Sequence, residues 1–262
     1  MRGTGIRFRD SLFPVQDPMR KLFIVLVIVT SAFACREARE PRPTHSQITR
    51  PRPAVPPVRR VATRDVRVVL LGDSLARGTG AENQEGFTPI LAEELEKHGL
   101  RATEVENFGR DGARTRSLVA RLASEEVRQA VAKADVIILS IGANDLFVDA
   151  HRTRAGSDEV IGQVLGRLDQ AIDAIRSMNG QGPIFVIGLY NPFFESSFRP
   201  VAQSFIQRWN RSVETRYQNR GVRLIETVDL LDKPERLSLD QFHPNGEGYR
   251  LIAERIAVSA TR

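Results

Sequence analysis

The chain has 262 residues, of which 41% are hydrophobic and 27% charged, a composition typical of a globular domain with additional segments. Its formal net charge of +6 comes from the first 64 residues, which hold 13 Lys and Arg against 4 Asp and Glu, whereas residues 65–262 hold 25 against 28. This distribution excludes a basic nucleic-acid-binding surface over the main domain, and the lack of a second long apolar run excludes a multispanning membrane protein.

The N-terminus predicts an export signal. Basic residues precede the apolar run Leu22–Val29, and small residues follow that run, which is the order of regions in a secretory signal peptide. Residues 1–18 add nothing to this pattern. We therefore expect a signal peptide over 19–35, with Met19 rather than Met1 as the initiator and 1–18 as a non-native upstream extension.

Cys35 is the only cysteine of the chain, which excludes an intramolecular disulfide. Its place directly after small residues resembles a bacterial lipobox, in which the cysteine is lipidated and becomes the mature N-terminus. Ala32 and Phe33 depart from the usual lipobox residues, and ordinary signal-peptidase cleavage fits equally well. We expect an exported protein anchored to the membrane through lipidated Cys35, with a secreted or periplasmic form as the alternative.

Residues 36–64 predict a disordered linker. They alternate Pro and Arg and contain almost no large apolar side chain. Such a segment buries too little surface to offset the entropy lost on ordering. We therefore expect an extended tether before a folded domain over 65–262.

From Val66 onward, short apolar runs alternate with helical stretches. Runs of Val, Ile and Leu are typical of strands covered on both faces. Five strands alternating with helices predict an α/β, doubly wound, flavodoxin-like sandwich around a five-stranded parallel sheet. The predicted strands cover 66–72, 103–109, 135–142, 183–189 and 222–227. The predicted helices cover 87–98, 116–132, 159–178, 201–219 and 248–258. Ligands of such sheets bind beyond the carboxyl ends of the strands, so the loops that follow the strands are the candidate site.

Ser74 follows the first predicted strand, in the segment that reads GDSL. Gly72 allows a sharp turn there. A serine at such a turn is more often a helix N-cap or a phosphate-contacting residue than a nucleophile. After the second strand comes NFGRDGART, Asn107–Thr115, a glycine-marked turn whose backbone amides could face the crevice. Taken alone, each segment favours a plain turn.

Two further segments carry polar side chains suited to acyl transfer. Asn144, in GAND after the third strand, offers a neutral N–H donor for an oxyanion, although an Asn-Asp pair also caps turns. His243 stands three residues after Asp240 in a turn-rich segment. At that spacing the carboxylate reaches one ring nitrogen and fixes the tautomer, which leaves the other nitrogen to take a proton from a serine hydroxyl.

Together these segments resemble the SGNH hydrolases, the GDSL-type lipase and esterase superfamily. The four blocks of that superfamily match in chain order, at Ser74, Gly112, Asn144 and the pair Asp240 and His243. The resemblance covers Val66 to about Ala257. More narrowly, NFGRDGARTRSLVARL, ADVIILSIGANDLF and LYNPF look like a bacterial subgroup of GDSL-family acylhydrolases.

The resemblance implies a role for each matched residue. Ser74 attacks the acyl carbonyl, His243 acts as general base and then general acid, and Asp240 orients the imidazole. The backbone N–H groups of Ser74 and Gly112 and the side chain of Asn144 hold the oxyanion. The G-x-S-x-G elbow of α/β-hydrolases is absent from the sequence, which disfavours that fold.

Weaker signals surround these residues. The segment Tyr190–Pro200 predicts pocket residues Asn191, Phe193 and Phe194, with core or lid packing as the alternative. Residues 146–158 predict a mobile rim loop that exposes His151. No metal-ligand spacing and no phosphate-binding glycine motif occurs in the sequence, so neither a metal nor a cofactor is expected.

The sequence therefore predicts a serine esterase that hydrolyses carboxylic esters through an acyl-enzyme, with lipidic acyl esters or lysophospholipids as the favoured substrates. A carbohydrate O-acetyl esterase acting on envelope or extracellular glycans is the alternative. A non-catalytic binding module on the same fold is a remote third reading. The natural substrate and the oligomeric state stay open.

Overall fold

The structure is a computed structural model that describes residues 63–82, 86–152 and 157–262. The predicted upstream extension, the signal peptide, Cys35 and nearly all of the linker lie outside these residues and stay predictions. Within the described ranges, no helix is both long enough and apolar enough to cross a bilayer.

Five strands form one parallel sheet. In chain order they are β1 Arg64–Gly72, β2 Leu100–Gly109, β3 Val136–Ser140, β4 Ile184–Ile187 and β5 Val222–Ile225. Their spatial order is β2-β1-β3-β4-β5, and every pairing is parallel. This order confirms the predicted flavodoxin-like arrangement, in which the crevice for ligands opens beyond the carboxyl ends near β1 and β3.

The helices connect the strands on both faces of the sheet. Within the described residues they are α1 Ser74–Arg77, α2 Phe87–Lys97, α3 Thr115–Arg121, α4 Glu125–Lys133, α5 Ala143–Arg152, α6 Ser157–Met178, α7 Arg199–Tyr217 and α8 Gly246–Ala260. Short 3₁₀ helices cover Gln218–Arg220 and Pro234–Arg236.

One helix prediction and one loop prediction are wrong. The helix expected over 116–132 is divided into α3 and α4, because Ser124 adopts an extended conformation and the acidic residues Glu125 and Glu126 then begin a new helix. The rim loop expected over 146–158 is largely helical, since α5 runs to Arg152 and α6 starts at Ser157. The apolar Leu146 of α5 is 1% exposed, so this helix is packed on the core. The side chain of His151 is outside the described ones.

The core lies in two layers because alternate strand residues face opposite sides of the sheet. Val69 and Leu71 of β1 pack in the layer that contains α3, α4, α6 and α7. Val68 and Leu70 pack in the layer that contains α2 and α8. This burial on both faces explains why β3, β4 and the second half of β1 read as nearly continuous apolar runs.

The strand register brings three carboxyl ends level with one another. Gly72 at the end of β1 pairs with Gly109 of β2 on one side and with Ser140 of β3 on the other. The loops that follow these strands therefore leave the sheet side by side, at one edge.

Candidate active site

The turn after β1 presents Ser74 as the first residue of α1. A Cβ atom on Gly72 would lie 1.9 Å from the carbonyl oxygen of Ser140, and the φ of Gly72 is +135°, so only glycine fits there. The carboxylate of Asp73 caps α1 by accepting a hydrogen bond from the amide of Leu75 at 3.1 Å. It also accepts a hydrogen bond from Ser140 Oγ of β3 at 2.8 Å. Burial raises the pKa of Asp73 to about 6, against the opposing effect of these hydrogen bonds.

The structure brings Ser74, His243 and Asp240 into one hydrogen-bonded chain. His243 Nε2 lies 2.8 Å from Ser74 Oγ, and His243 Nδ1 lies 2.6 Å from Asp240 Oδ2. These two contacts join the first strand end to a loop that is 169 positions away in the sequence. The arrangement is that of a nucleophile, a base and an orienting carboxylate.

Electrostatics decide which nitrogen of His243 carries the proton in its neutral form. Burial raises the pKa of Asp240, but hydrogen bonds from the imidazole, the amides of His243 and Phe242, and the Ser238 hydroxyl outweigh burial and hold this pKa well below its usual range. An ionised carboxylate only accepts hydrogen bonds, so Nδ1 must donate to Asp240. Nε2 is then left to accept the proton of the Ser74 hydroxyl.

The loop that carries Asp240 and His243 is closed on itself and tied to the sheet. Leu237 and Pro244 form an isolated antiparallel bridge, and the amide of Ser238 donates to the carbonyl of His243 at 2.8 Å. Tyr190 Oη donates to the carbonyl of Phe242 at 2.6 Å. Burial raises the pKa of Tyr190 well above its ordinary value, so the phenol stays a donor at any working pH.

The three N–H groups expected to hold the oxyanion belong to Ser74, Gly112 and Asn144, on the loops that follow β1, β2 and β3. Gly112 has a φ of +69°. Asn144 Nδ2 donates one of its two hydrogens to the carbonyl of Ala113, at 2.9 Å. Within the described part of the chain, the backbone N–H groups of Ser74 and Gly112 donate to no protein acceptor. These two amides and the second hydrogen of Asn144 Nδ2 are available to an oxyanion.

The Gly112 loop is held from both of its ends. On one side, Asp145 accepts hydrogen bonds from the amide and the hydroxyl of Thr115, each at 2.8 Å, and is 1% exposed. On the other side, Asp111 accepts from Thr79 Oγ1 at 2.6 Å and pairs with Arg77. Sequence reasoning missed the positioning contacts of Asp145, because an acidic residue after a strand reads equally well as a turn cap.

The predicted pocket residues separate into three environments. Asn191 is buried beneath its loop, where Nδ2 donates to the carbonyl of Arg199 at 3.0 Å and Oδ1 accepts from the amide of Phe193. The ring of Phe194 lies against the guanidinium of Arg199, 4.9 Å from the ring centroid. Only Phe193 joins a cluster of rings that reaches the site.

That cluster contains two phenylalanines that sequence reasoning missed. Phe193 contacts Phe147, Phe147 contacts Phe242, and Phe242 contacts the ring of His243. The available signals were positional: Phe147 lies one helical turn after Asn144, and Phe242 directly precedes His243.

A surface depression elsewhere does not compete with this site. It is lined by residues at the amino ends of the strands, including Arg64, Asp135 and Pro183. The catalytic geometry lies beyond the opposite, carboxyl ends.

Comparisons with known proteins agree with the geometry. The model of the GDSL-like lipase/acylhydrolase family matches residues 70–251. The spore germination lipase LipC of Bacillus licheniformis is 26% identical over 198 residues, which are 71% of this chain and 92% of LipC.

Solved structures show the same fold. The lipase Lip_vut3 from a goat rumen metagenome has a TM-score of 0.64 and 25% identity, over 74% of this chain and 97% of its own. The acetylxylan esterase Axe2 of Geobacillus stearothermophilus, at 17% identity, has a TM-score of 0.57 over 77% of this chain and 96% of its own. Since the family model spans most of the chain, this protein belongs to the GDSL-like lipase/acylhydrolase family and is a carboxylic ester hydrolase.

Proposed function

We propose that this protein is a serine esterase that hydrolyses carboxylic esters through an acyl-enzyme, with Ser74 as the nucleophile and lipidic acyl esters or lysophospholipids as its substrates. The observation that carries the proposal is the chain of contacts from Asp240 through His243 to Ser74 Oγ, at 2.6 and 2.8 Å. This chain supplies a base for the hydroxyl and a charge for the imidazolium that forms.

Acylation begins when Ser74 Oγ attacks the ester carbonyl and its proton passes to His243 Nε2. The new imidazolium is stabilised by the ionised carboxylate of Asp240. As the tetrahedral intermediate collapses, the bond to the alcohol oxygen breaks and Nε2 returns the proton to the leaving alcohol. Water then repeats the sequence on the acyl-enzyme, which releases the carboxylic acid and restores the Ser74 hydroxyl.

The negative charge on the carbonyl oxygen is proposed to be held by the amides of Ser74 and Gly112 and by Asn144 Nδ2. Asn144 already donates one hydrogen to the carbonyl of Ala113, so its amide plane is set before substrate arrives. Removal of one donor of this kind costs about 2.7–4 kcal/mol of transition-state stabilisation.

Apolar acyl esters are favoured as substrates by two observations. The relatives LipC and Lip_vut3 are named as lipases. In addition, the partly exposed ring of Phe242 lies directly beside His243, with a centroid separation of 5.1 Å. An apolar surface next to the reacting atoms suits an acyl chain.

A carbohydrate O-acetyl esterase is the second candidate. It is supported by the acetylxylan esterase that shares the fold. An acetyl group needs room for only one methyl, so this candidate predicts rates that do not rise with acyl-chain length.

The proposal is tested with p-nitrophenyl esters from acetate to palmitate and with acetylated xylooligosaccharides, using the full chain and its Ser74→Ala variant. We expect Ser74→Ala to lower kcat by about 10⁴-fold or more, because the nucleophile is lost. A fluorophosphonate should label the wild-type protein on the peptide that contains Ser74. Equal turnover by the two proteins, or labelling elsewhere, would show that Ser74 is not the nucleophile.

A further inference from the structure

Three phenylalanine rings run outward from the catalytic imidazole. The ring centroids of His243 and Phe242 are 5.1 Å apart, those of Phe242 and Phe147 are 6.2 Å apart, and those of Phe147 and Phe193 are 6.1 Å apart. We call Phe242, Phe147 and Phe193 the aromatic row. All three rings are partly exposed, so the row forms an apolar strip on the surface beside Ser74.

The rings come from separate parts of the chain, yet their backbones are held in place. Phe242 belongs to the loop that carries His243, and Tyr190 Oη fixes its carbonyl at 2.6 Å. The amide of Phe193 donates to Asn191 Oδ1 at 3.1 Å, and Asn191 is itself anchored to Arg199. Phe147 lies on α5, which begins next to Asn144. An apolar strip on such fixed supports is preorganised for a ligand.

Partial exposure of three neighbouring phenylalanines is unfavourable for the free protein. Each ring would contribute more to stability if it were fully buried, since apolar area removed from water is the main favourable term in folding. Contiguous exposed apolar surface of this kind marks ligand or partner sites. Its contact with His243 indicates that the ligand is part of the substrate.

The orientations of the rings favour a flexible chain over a sugar ring. Successive rings are turned by 81°, 60° and 80° relative to one another, from His243 to Phe193. Rings turned in this way present edges and grooves rather than the broad flat face on which a pyranose would stack. A linear hydrocarbon can follow such a ribbed surface by rotation about its own bonds.

We infer that the aromatic row is the acyl-chain subsite and that it selects esters of medium-length, unbranched, apolar acids. This inference rests on the proposed function, because it assumes that Ser74 accepts the acyl group. In an acyl-enzyme, the acyl chain extends from the carbonyl carbon on Ser74, beside His243, and runs past Phe242 and Phe147 to Phe193. Phe194 takes no part, since its ring lies against Arg199 instead.

The experiment measures kcat and KM for p-nitrophenyl acetate, butyrate, octanoate and palmitate with the full chain. For the wild-type protein, kcat/KM should rise from acetate to octanoate by up to about fourfold for each methylene that becomes buried. In Phe193→Ala, the ratio of kcat/KM for octanoate to that for acetate should fall by about tenfold, mainly through KM, because the far end of the row is lost.

Two matched variants separate the subsite from a structural effect. Phe193→Leu keeps apolar bulk and should retain most of the octanoate preference. Phe194→Ala removes the adjacent ring and should leave the octanoate-to-acetate ratio within about twofold of the wild-type value, as expected for a change outside the site. Melting temperatures of all variants report whether each one is folded.

Several results would overturn the inference. One is a wild-type rate that does not depend on chain length although acetate is hydrolysed; the serine-esterase mechanism would then survive, and the O-acetyl esterase would be favoured over the lipidic substrates. Another is an equal fall in kcat/KM for acetate and octanoate in Phe193→Ala, which would indicate that Phe193 has a structural role. A selective loss for acetylated xylooligosaccharides would assign the row to a sugar. If no ester is hydrolysed faster than by Ser74→Ala, the proposed function fails as well.

Discussion

At one end of the Gly112 loop, the hydrogen bonds converge on a buried carboxylate, that of Asp145. The carboxylate of Asp145 accepts hydrogen bonds from the amide and the hydroxyl of Thr115. Arg167 Nη2 lies 3.4 Å from Asp145 Oδ1. Because Asn144 precedes it in the chain, the same turn of α5 positions two proposed oxyanion donors, one directly and one through Thr115. Asp145 is thus a positioning residue in the proposed mechanism.

Asp145→Asn should lower kcat by about 10- to 100-fold with little change in KM, since oxyanion donors act mainly in the transition state. An asparagine keeps one acceptor oxygen but places an NH₂ group against a hydrogen of Thr115. The measurement is steady-state kinetics on p-nitrophenyl butyrate, with a melting curve to show that the variant is folded. Thr115→Ser keeps both hydrogen bonds and serves as the control. A folded Asp145→Asn protein with wild-type kcat would refute this role.

At the scale of elements, three contacts fasten the loop that carries His243 and the helix that follows it, α8, to their neighbours. Tyr190 Oη reaches the carbonyl of Phe242 at 2.6 Å, and Tyr249 Oη of α8 reaches the carbonyl of Thr79 at 2.8 Å. Glu82 accepts from the amide of Gly246 at 2.8 Å, at the start of α8. These contacts tie the segment after α1 to α8 and hold the loop before α8 in place, which keeps His243 within reach of Ser74.

Gly80 is the point at which these two segments touch. A Cβ atom there would lie 2.7 Å from the carbonyl oxygen of Pro244 and 2.9 Å from His243 Cβ, and the φ of Gly80 is +98°. Gly80→Ala should therefore displace His243 and lower kcat by at least about tenfold, because small misplacements of a catalytic group are costly.

The control for Gly80→Ala is Gly162→Ala on α6, where an added Cβ meets no atom within 4 Å. That substitution should leave kcat unchanged and raise stability by up to about 1 kcal/mol, owing to the higher helix propensity of alanine. Kinetics and thermal unfolding of both variants give the comparison. Similar kcat values for Gly80→Ala and the wild-type protein would mean that the two segments accommodate the added Cβ atom without displacing His243.

Two of the sequence-based predictions are wrong at the scale of elements, in segments whose local preference for helix or loop is weak. The break between α3 and α4 occurs at Ser124, with neither glycine nor proline to mark it. In α5, Ala143, Leu146 and Phe147 have helical spacing and Leu146 packs on the core, but the charged residues that follow favoured a loop. Tertiary contacts override weak local preferences in such segments.

At the scale of the whole molecule, two carboxylates near the proposed active site, those of Asp240 and Asp73, make stability depend on pH. Hydrogen bonds hold the pKa of Asp240 well below its ordinary value of 3.8, so it contributes stability that is present above that value and lost as pH falls through the folded pKa. The pKa of Asp73 is raised to about 6, so its ionised form is unfavourable above that pH and the penalty disappears on acidification. The two groups therefore act in opposite directions.

Asp240→Asn should lower the free energy of unfolding by about 2 kcal/mol at pH 7, the scale of hydrogen bonds to a charged group. The difference from the wild-type protein should shrink as pH falls below 3.8, where the unfolded state no longer holds the charge. Urea unfolding at several pH values measures it. A difference that stays constant from pH 7 to pH 3 would mean that the carboxylate charge of Asp240 is not the source of the stability.

Much of the fold was determined by the sequence, because three of the strands, β1, β3 and β4, contain nearly continuous apolar runs and the strands end in glycine- or polar-rich turns. Such patterns are local along the chain and need no knowledge of contacts. The residue types of Ser74, Asn144 and His243, and their places after strands, were readable in the same way. Because β1, β2 and β3 are parallel and end level with one another, residues that follow different strands lie close together in space.

Only the tertiary structure decided which side chains meet. The 2.8 Å contact between Ser74 and His243, the use of Asn191 beneath its loop, and the row from Phe242 to Phe193 depend on how distant loops pack. No periodicity encodes these contacts, because loop conformation follows from hydrogen bonds to other elements rather than from the residues within the loop. The sequence by itself determined the chemistry that is present, whereas the fold decided the geometry in which that chemistry can act.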